Sequence, residues 1–292
     1  MIAEHETLTF HHPPGRELEV AILPASTQRD QARFRAQGES LRLAGLSGPT
    51  LVLARAPAED CVPAIFDAVY DVRETYAPAP PAPETTAIPF DDPRIVSWAL
   101  EVVSYEPGSN DIEERWMQPT LALGPAGTNP TQVLVLGNGG SATLYFEPPI
   151  ADGEGWDFVV FENSFAADSF LELAFVEVSS DGVHFVRFDS AALGTGQSCT
   201  SCSQRAAELG GLAGTYPVGQ GSPFDLAALR NAPDVRNQTI DLSAISYVRV
   251  IDVVGDGSSL DSFGREIIDP LDDGPTGGFD LDAIGVLNNR SP

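Results

Sequence analysis

Leu173-Ala-Phe-Val-Glu-Val-Ser-Ser-Asp-Gly-Val-His-Phe-Val-Arg-Phe-Asp189 is the stretch on which the fold turns. Apolar and polar residues alternate on both sides of Asp181-Gly182, and a period of two marks a strand with one buried face. Asp-Gly accepts the backbone angles of a tight turn between two such strands. The stretch therefore predicts a β-hairpin, with His184 facing solvent or a sheet neighbour.

The same pattern extends outward. Short apolar runs separated by Gly, Asn, Asp and Pro recur at 95–105, 132–136, 142–146, 156–162, 171–179, 184–188, 240–242, 247–254 and 279–287. About nine strands with few helices predict a mostly β fold, a β-sandwich over residues 95–292. Residues 190–236 interrupt the strands with glycines and two short helical stretches, an insertion too long to be an idle loop. The Gly137-Asn-Gly-Gly-Ser141 run has the composition of a phosphate loop, but it opens no helix and has no Lys, so it reads as a hairpin loop.

Residues 1–76 read differently, as a small α/β unit ordered strand, helix, strand, helix. The strands are expected at 16–23 and 49–54, and the helices at 27–43 and 60–72. In the second helix Val62, Ile65, Phe66, Val69 and Tyr70 would form one face. A proline-rich run follows Tyr76, and residues 77–94 read as a semi-rigid linker between two domains.

Asp and Glu number 42 against 16 basic residues, all Arg, for a net charge of −26. Such a chain is repelled by phosphate backbones and anionic membranes, so nucleic acid is not an expected partner. No stretch approaches about 18 uninterrupted apolar residues, so membrane insertion is not expected either. The N-terminal residues lack the basic start and apolar run of a signal peptide. The acidity has two readings: solubility, or divalent-cation binding by clustered carboxylates.

Several motifs resemble those of a known group. Val176-Glu-Val-Ser-Ser-Asp-Gly-Val-His-Phe185 resembles the hairpin of discoidin and other galactose-binding-like jelly rolls. Trp156-Asp-Phe-Val-Val-Phe-Glu-Asn163, Gly221-Ser-Pro-Phe-Asp-Leu226 and Gly278-Phe-Asp-Leu-Asp-Ala-Ile-Gly-Val286 are narrower. With Ala122-Leu-Gly-Pro125 and Leu136-Gly-Asn-Gly-Gly-Ser141 they resemble, in order, a family of bacterial cell-surface proteins, some bearing C-terminal sorting signals. The resemblance spans about residues 95–289. It implies a jelly-roll fold and an extracellular or cell-surface location, and it names no substrate. No sorting tail follows Pro292, and residues 1–76 have no counterpart in it.

The acids suggest where chemistry lies. Asp280 and Asp282 stand two apart on an expected strand, on the face that Ile284 and Val286 continue, and a carboxylate in apolar surroundings needs a partner. Asp157 and Glu162 bracket an apolar run, Asn163 follows it, and Asp252 ends another. If these strands adjoin, their oxygens converge at one sheet end, and an all-oxygen set suits Ca²⁺ with its ~6–8 ligands. Modules resembling this one commonly hold such a structural calcium. The alternative is that these acids cap turns or pair with Arg249. Cys199 and Cys202, in Cys-Thr-Ser-Cys, lack the two further ligands of a zinc site. They read as a small disulfide stapling the insertion, or as free thiols. No Gly-x-Ser-x-Gly elbow is present.

Together these features predict a non-catalytic, Ca²⁺-stabilised binding or adhesion module whose ligand is a surface glycan, a matrix component or a surface protein. Trp116, Phe165 and Tyr216 are candidate ligand contacts, because sugar stacking needs exposed rings. Phe170, near them, reads as core. The alternatives are a self-assembling subunit of a surface layer or filament, and a hydrolase of unknown substrate.

Overall fold

The computed structural model describes residues 76–290 except 130, 164–169, 195–203 and 272–273, and, of the first 75 residues, only the backbone of six strands. The chain divides into two compact units, Met1–Thr75 and Tyr76–Pro292.

In the first unit four strands form one antiparallel sheet: Arg35–Gln37, Leu18–Pro24, Gly48–Arg55 and Ile65–Val72, in that order. The strands expected at 16–23 and 49–54 are present. Ile65–Val72, expected as the second helix of an α/β unit, is instead a strand paired along its length with Gly48–Arg55. Its Ile, Phe, Tyr and two Val residues are β-formers, and that preference outweighs a helical spacing only one face wide. Arg35–Gln37 and Ser40–Arg42 are likewise strands inside the span expected as the first helix.

The second unit is a sandwich of two antiparallel sheets. The first sheet runs Leu134–Val135, Asp280–Val286, Phe158–Glu162, Gln220–Phe224 and Ile88–Pro89, with Ser97–Trp98 also pairing with Asp280–Val286. The second runs Val186–Arg187, Ala174–Ser179, Ile245–Asp252, Ser141–Ile150 and Glu101–Glu106. Leu134, Phe158, Val160, Phe224 and Ile284 of the first sheet meet Leu144, Phe146, Val176, Val178, Val248 and Val250 of the second in one core. The first sheet is covered on its other face too, where Val159, Phe161 and Ala283 pack with Ile88, Ala126 and Trp98. That is why Phe158-Val-Val-Phe161 is a continuous apolar run rather than an alternating one.

Phe158 is the centre of the core. Its ring stacks on Phe224 at 5.2 Å, and Phe188 sets an edge against both. Phe158→Ala is expected to cost about 3–5 kcal/mol, the usual loss for a buried ring whose cavity cannot close. Urea unfolding of the two proteins measures it; a loss below about 1 kcal/mol would mean that this packing is not the core.

The hairpin forms where the sequence places it. Ala174–Ser179 pairs with Val186–Arg187, and Asp181 accepts the amides of Val183 and His184 (both 2.8 Å) as well as His184 Nδ1 (2.7 Å). These donors hold the Asp181 carboxyl well below the usual range. The 137–141 run is not a hairpin loop: Leu134–Val135 belongs to the first sheet and Ser141–Ile150 to the second, so it carries the chain between them. The 190–236 insertion supplies a sheet strand, Gln220–Phe224, and the expected strand at 240–242 is absent.

The proline-rich run, read as a linker, packs against the second unit. The Tyr76 amide donates to Ala207 O (2.8 Å), Ala79 is buried, and Ile88–Pro89 pairs with Gln220–Gly221. Three of the four sheet edges are strands of two residues, Leu134–Val135, Ile88–Pro89 and Val186–Arg187; the fourth, Glu101–Glu106, has six. Among the described residues no helix is long and apolar enough to cross a membrane.

Candidate metal centre

One end of the sandwich gathers buried acids. Phe158–Glu162 ends with Glu162 opposite Leu281, one residue from Asp280 at the start of the neighbouring strand. Asn163 follows, and all three are buried. From the second sheet comes Asp252, the last residue of Ile245–Asp252, opposite Ala174. Glu172, two residues before Ala174, and Asp269, within the long connection between Asp252 and Asp280, complete the group, and these three are buried as well.

Backbone amides fix the arrangement. Gly139 N–H donates to Asp252 Oδ2 (2.8 Å) and Phe279 N–H to Asp252 Oδ1 (2.7 Å), so Asp252 ties the inter-sheet loop to the root of the last strand. Leu173 N–H donates to Asp269 Oδ1 (2.7 Å), which sets Asp269 beside Glu172. Val253 N–H in turn donates to Leu173 O (2.9 Å). A second core of Leu171, Leu173, Phe175, Leu209, Leu212, Val253 and Ile267 backs this region.

Buried carboxyls this close resist ionisation. Burial pushes Asp252 up to about 7 against the pull of its two amide donors. Burial, with the nearby Asp252 charge, pushes Asp280 up to about 8. Glu172 and Asp269 are also raised well above the carboxylate range, first by burial and then by their acidic neighbours. The charges acting on Glu172 are those of Asp280, Glu162, Asp269 and Asp252. Oxygen donors alone, several of them acidic and out of water, are the ligand type that hard divalent cations take.

The sequence named four of these six residues: Glu162, Asn163, Asp252 and Asp280. Two others that it grouped with them lie elsewhere. Asp157 sits at the opposite end of the Phe158–Glu162 strand, about 17 Å away at strand rise. There it accepts from the amides of Gly153 (2.8 Å) and Leu226 (2.7 Å) and from Asn288 Nδ2 (2.9 Å). Asp282 does not share a position with Asp280. The register shifts between the Phe161 and Glu162 pairs, from Ala283 to Leu281, so Asp282 is skipped and the alternation breaks. Its carboxylate accepts Gly127 N–H (2.9 Å), and burial pushes it up to about 6. Arg249 is not the acids' partner: it pairs with Glu177 at 2.9 Å and lies over the Phe185 ring.

Asp157 belongs to a second acidic group. One oxygen each from Asp152, Asp157 and Asp225 lie within 4.8 Å of one another, a spacing that could hold a metal ion. Protein donors already engage most of them. Both Asp152 oxygens bind the Arg230 guanidinium (2.7 and 2.8 Å), and Asp225 Oδ1 accepts Ala227 N–H (2.8 Å).

The aromatic candidates separate. Tyr216 is a core residue, not a ligand contact: it is buried with Ala79 and Ala206, and its hydroxyl meets Thr86 Oγ1 at 2.9 Å. Trp116 packs partly against Ile112, Val133 and Val135, with the Arg115 guanidinium 4.0 Å from its ring. Phe165, Cys199 and Cys202 lie outside the described residues. Phe170 is partly exposed.

No family model matches the chain, and no curated protein matches it.

Proposed function

We propose that this chain is a non-catalytic binding or adhesion module of the cell surface, built on a jelly-roll-like sandwich and stabilised by a bound Ca²⁺. The observation that carries the reading is the convergence of five buried carboxylates and Asn163 at one end of the sandwich. An uncompensated group of this kind opposes folding, whereas a bound divalent cation makes it a stabilising element. The ligand is a surface glycan, a matrix component or a surface protein, met by the connections between strands, as is usual for sandwich scaffolds. The resemblance of the motifs quoted above to those of bacterial cell-surface proteins supports the location.

Calorimetric melting in chelator and in millimolar Ca²⁺ tests the cation. A hundredfold excess over Kd raises the midpoint by roughly 5–10 °C. Coincident melts would sink the calcium-stabilised module. A glycan array and binding to matrix proteins test the ligand.

A second reading, a self-assembling surface subunit, has its own observation. Val96, Leu100 and Val103 are all exposed within eight positions, on or beside the Glu101–Glu106 edge strand. Light scattering across a concentration series separates it from a monomeric binder.

A further inference from the structure

The structure assigns the divalent-cation seat to Glu162, Asn163, Glu172, Asp252, Asp269 and Asp280, with Glu172 and Asp269 as ligands, and not to the Asp152, Asp157 and Asp225 group. This rests on the calcium reading above and says where the ion goes. A cluster of acids is not in itself a site, since acids also gather where amides and arginines need acceptors. The two groups differ on that point.

In the Asp152 group most of the acceptors are in use. Three donors converge on the two oxygens of Asp157, and Arg230 supplies a full positive charge to Asp152. Asp152 and Asp225 are also only half-buried, so water can serve what the protein does not. That arrangement is complete as a lock between the 152–157 turn, the 225–230 segment and Asn288.

In the deeper group two oxygens have no such explanation. Asp269 is 1% exposed and Asp280 7%, and Asp269 Oδ2 and Asp280 Oδ1 are sealed from solvent with no hydrogen-bond partner. Such an oxygen forfeits its hydration for nothing in return unless a cation or proton meets it. The other Asp269 oxygen is held by Leu173 N–H, which fixes the carboxylate in place, and Asp252 and Glu162 are near enough for their charges to act on it. Asp252 is the most heavily donated member, with amides on both oxygens. It still offers second lone pairs, as amide-bound carboxylates do in oxygen-ligated sites.

The topology supplies a reason for such a seat. Its members stand at the roots of two long connections: Glu162, Asn163 and Glu172 flank the first, while Asp252 and Asp280 bound the second, with Asp269 inside it. One ion would join the ends of both sheets and the second connection at a single point. Nitrogen and sulfur donors are absent from the set, which selects Ca²⁺ over zinc or copper.

Calcium titration calorimetry at pH 7.5 on the full chain tests the assignment with Glu172→Gln, Asp269→Asn, Asp152→Asn and Asp157→Asn. The first two keep shape and remove charge, and each is expected to weaken Ca²⁺ binding by about 10-fold or more. The last two are expected to stay within about 2-fold of the parent, as distant sites do. A measurement on the unaltered chain guards against variants that misfold. In hydrogen exchange, Ca²⁺ should protect peptides containing Gly139, Leu173 and Phe279, and leave those containing Gly153 and Leu226 unchanged. If Asp152→Asn and Asp157→Asn abolish binding while Glu172→Gln and Asp269→Asn do not, or if protection appears at Gly153 and Leu226, the assignment is overturned, while Ca²⁺ binding by the chain stands on the other acidic group. If the unaltered chain binds no Ca²⁺ at millimolar concentration, the calcium reading itself fails.

Discussion

In calcium-free buffer the sandwich will unfold at a higher temperature at pH 5 than at pH 8, and millimolar Ca²⁺ will remove most of the difference. An ordinary paired carboxylate behaves in the opposite way, because its pKa is depressed on folding and its contribution is lost in acid. Here Asp252 is raised to about 7 and Asp280 to about 8 by burial. From about pH 4 up to those values the folded protein holds protons that the unfolded chain has released. Stability must then fall as pH rises. Each such group contributes on the order of 1 kcal/mol per pH unit within its window. On the calcium reading, the cation takes the ionised form and so would supply at pH 8 what protons supply at pH 5. Melting at pH 5, 6, 7 and 8 with chelator and with Ca²⁺ measures this. A midpoint that is flat or rises across that range without calcium would show that these acids are not buried together.

Gly278→Ala will destabilise the protein by about 2–5 kcal/mol, well beyond Gly124→Ala at about 1–2 kcal/mol. Both glycines have positive φ, +82° and +86°, so both substitutions pay the left-handed backbone cost. At Gly124 an added Cβ meets nothing within 4 Å. At Gly278 it would lie 2.7 Å from the Gly137 carbonyl carbon and 2.9 Å from Asp252 Oδ1. The loop or the carboxylate has to shift, and the Phe279 amide that Asp252 accepts is the bond at risk. Gly278→Ala should therefore also weaken Ca²⁺ binding, and Gly124→Ala should not. Equal losses of stability and unchanged calcium affinity in both would remove the close contact as the cause.

Much of the sandwich is legible in the sequence because half-buried strands write themselves as alternation. Leu173–Asp189 does so on both sides of Asp181-Gly182, and the turn acid that caps the hairpin is the one the pattern names. The first sheet is harder to read, since strands covered on both faces lose that alternation. Ile65–Val72 shows the reverse failure, where strand residues fall by chance at helical spacing. The site was half legible. Acids at strand ends are visible, but whether two share an end depends on strand length, which separates Asp157 from Glu162. Whether Asp280 and Asp282 share a face depends on a register shift that no local pattern announces. Glu172 passes for the outward residue of an alternating run, Leu171-Glu-Leu173. Asp269 had a usable signal, an acid set in Ile267-Ile-Asp-Pro-Leu271. Tyr216 belongs inside because its hydroxyl has Thr86, a contact made across 130 positions.

The unequal edges of the two sheets bear on assembly. A polymer grown by strand addition needs two open edges per subunit, one to receive and one to give. In the described sandwich only Glu101–Glu106 is long enough to template a neighbour, and the other three end after two residues, one of them with Pro89, which has no amide hydrogen. A subunit with a single usable edge can pair with a copy of itself about a two-fold axis, after which both edges are consumed. A pair centred on this strand would set Glu101 of one copy opposite Glu106 of the other at both ends, so even that closed dimer is opposed by like charge until salt or cations screen it. Strand addition through this edge alone therefore joins two sandwiches and stops, and a larger assembly would need contacts of another kind.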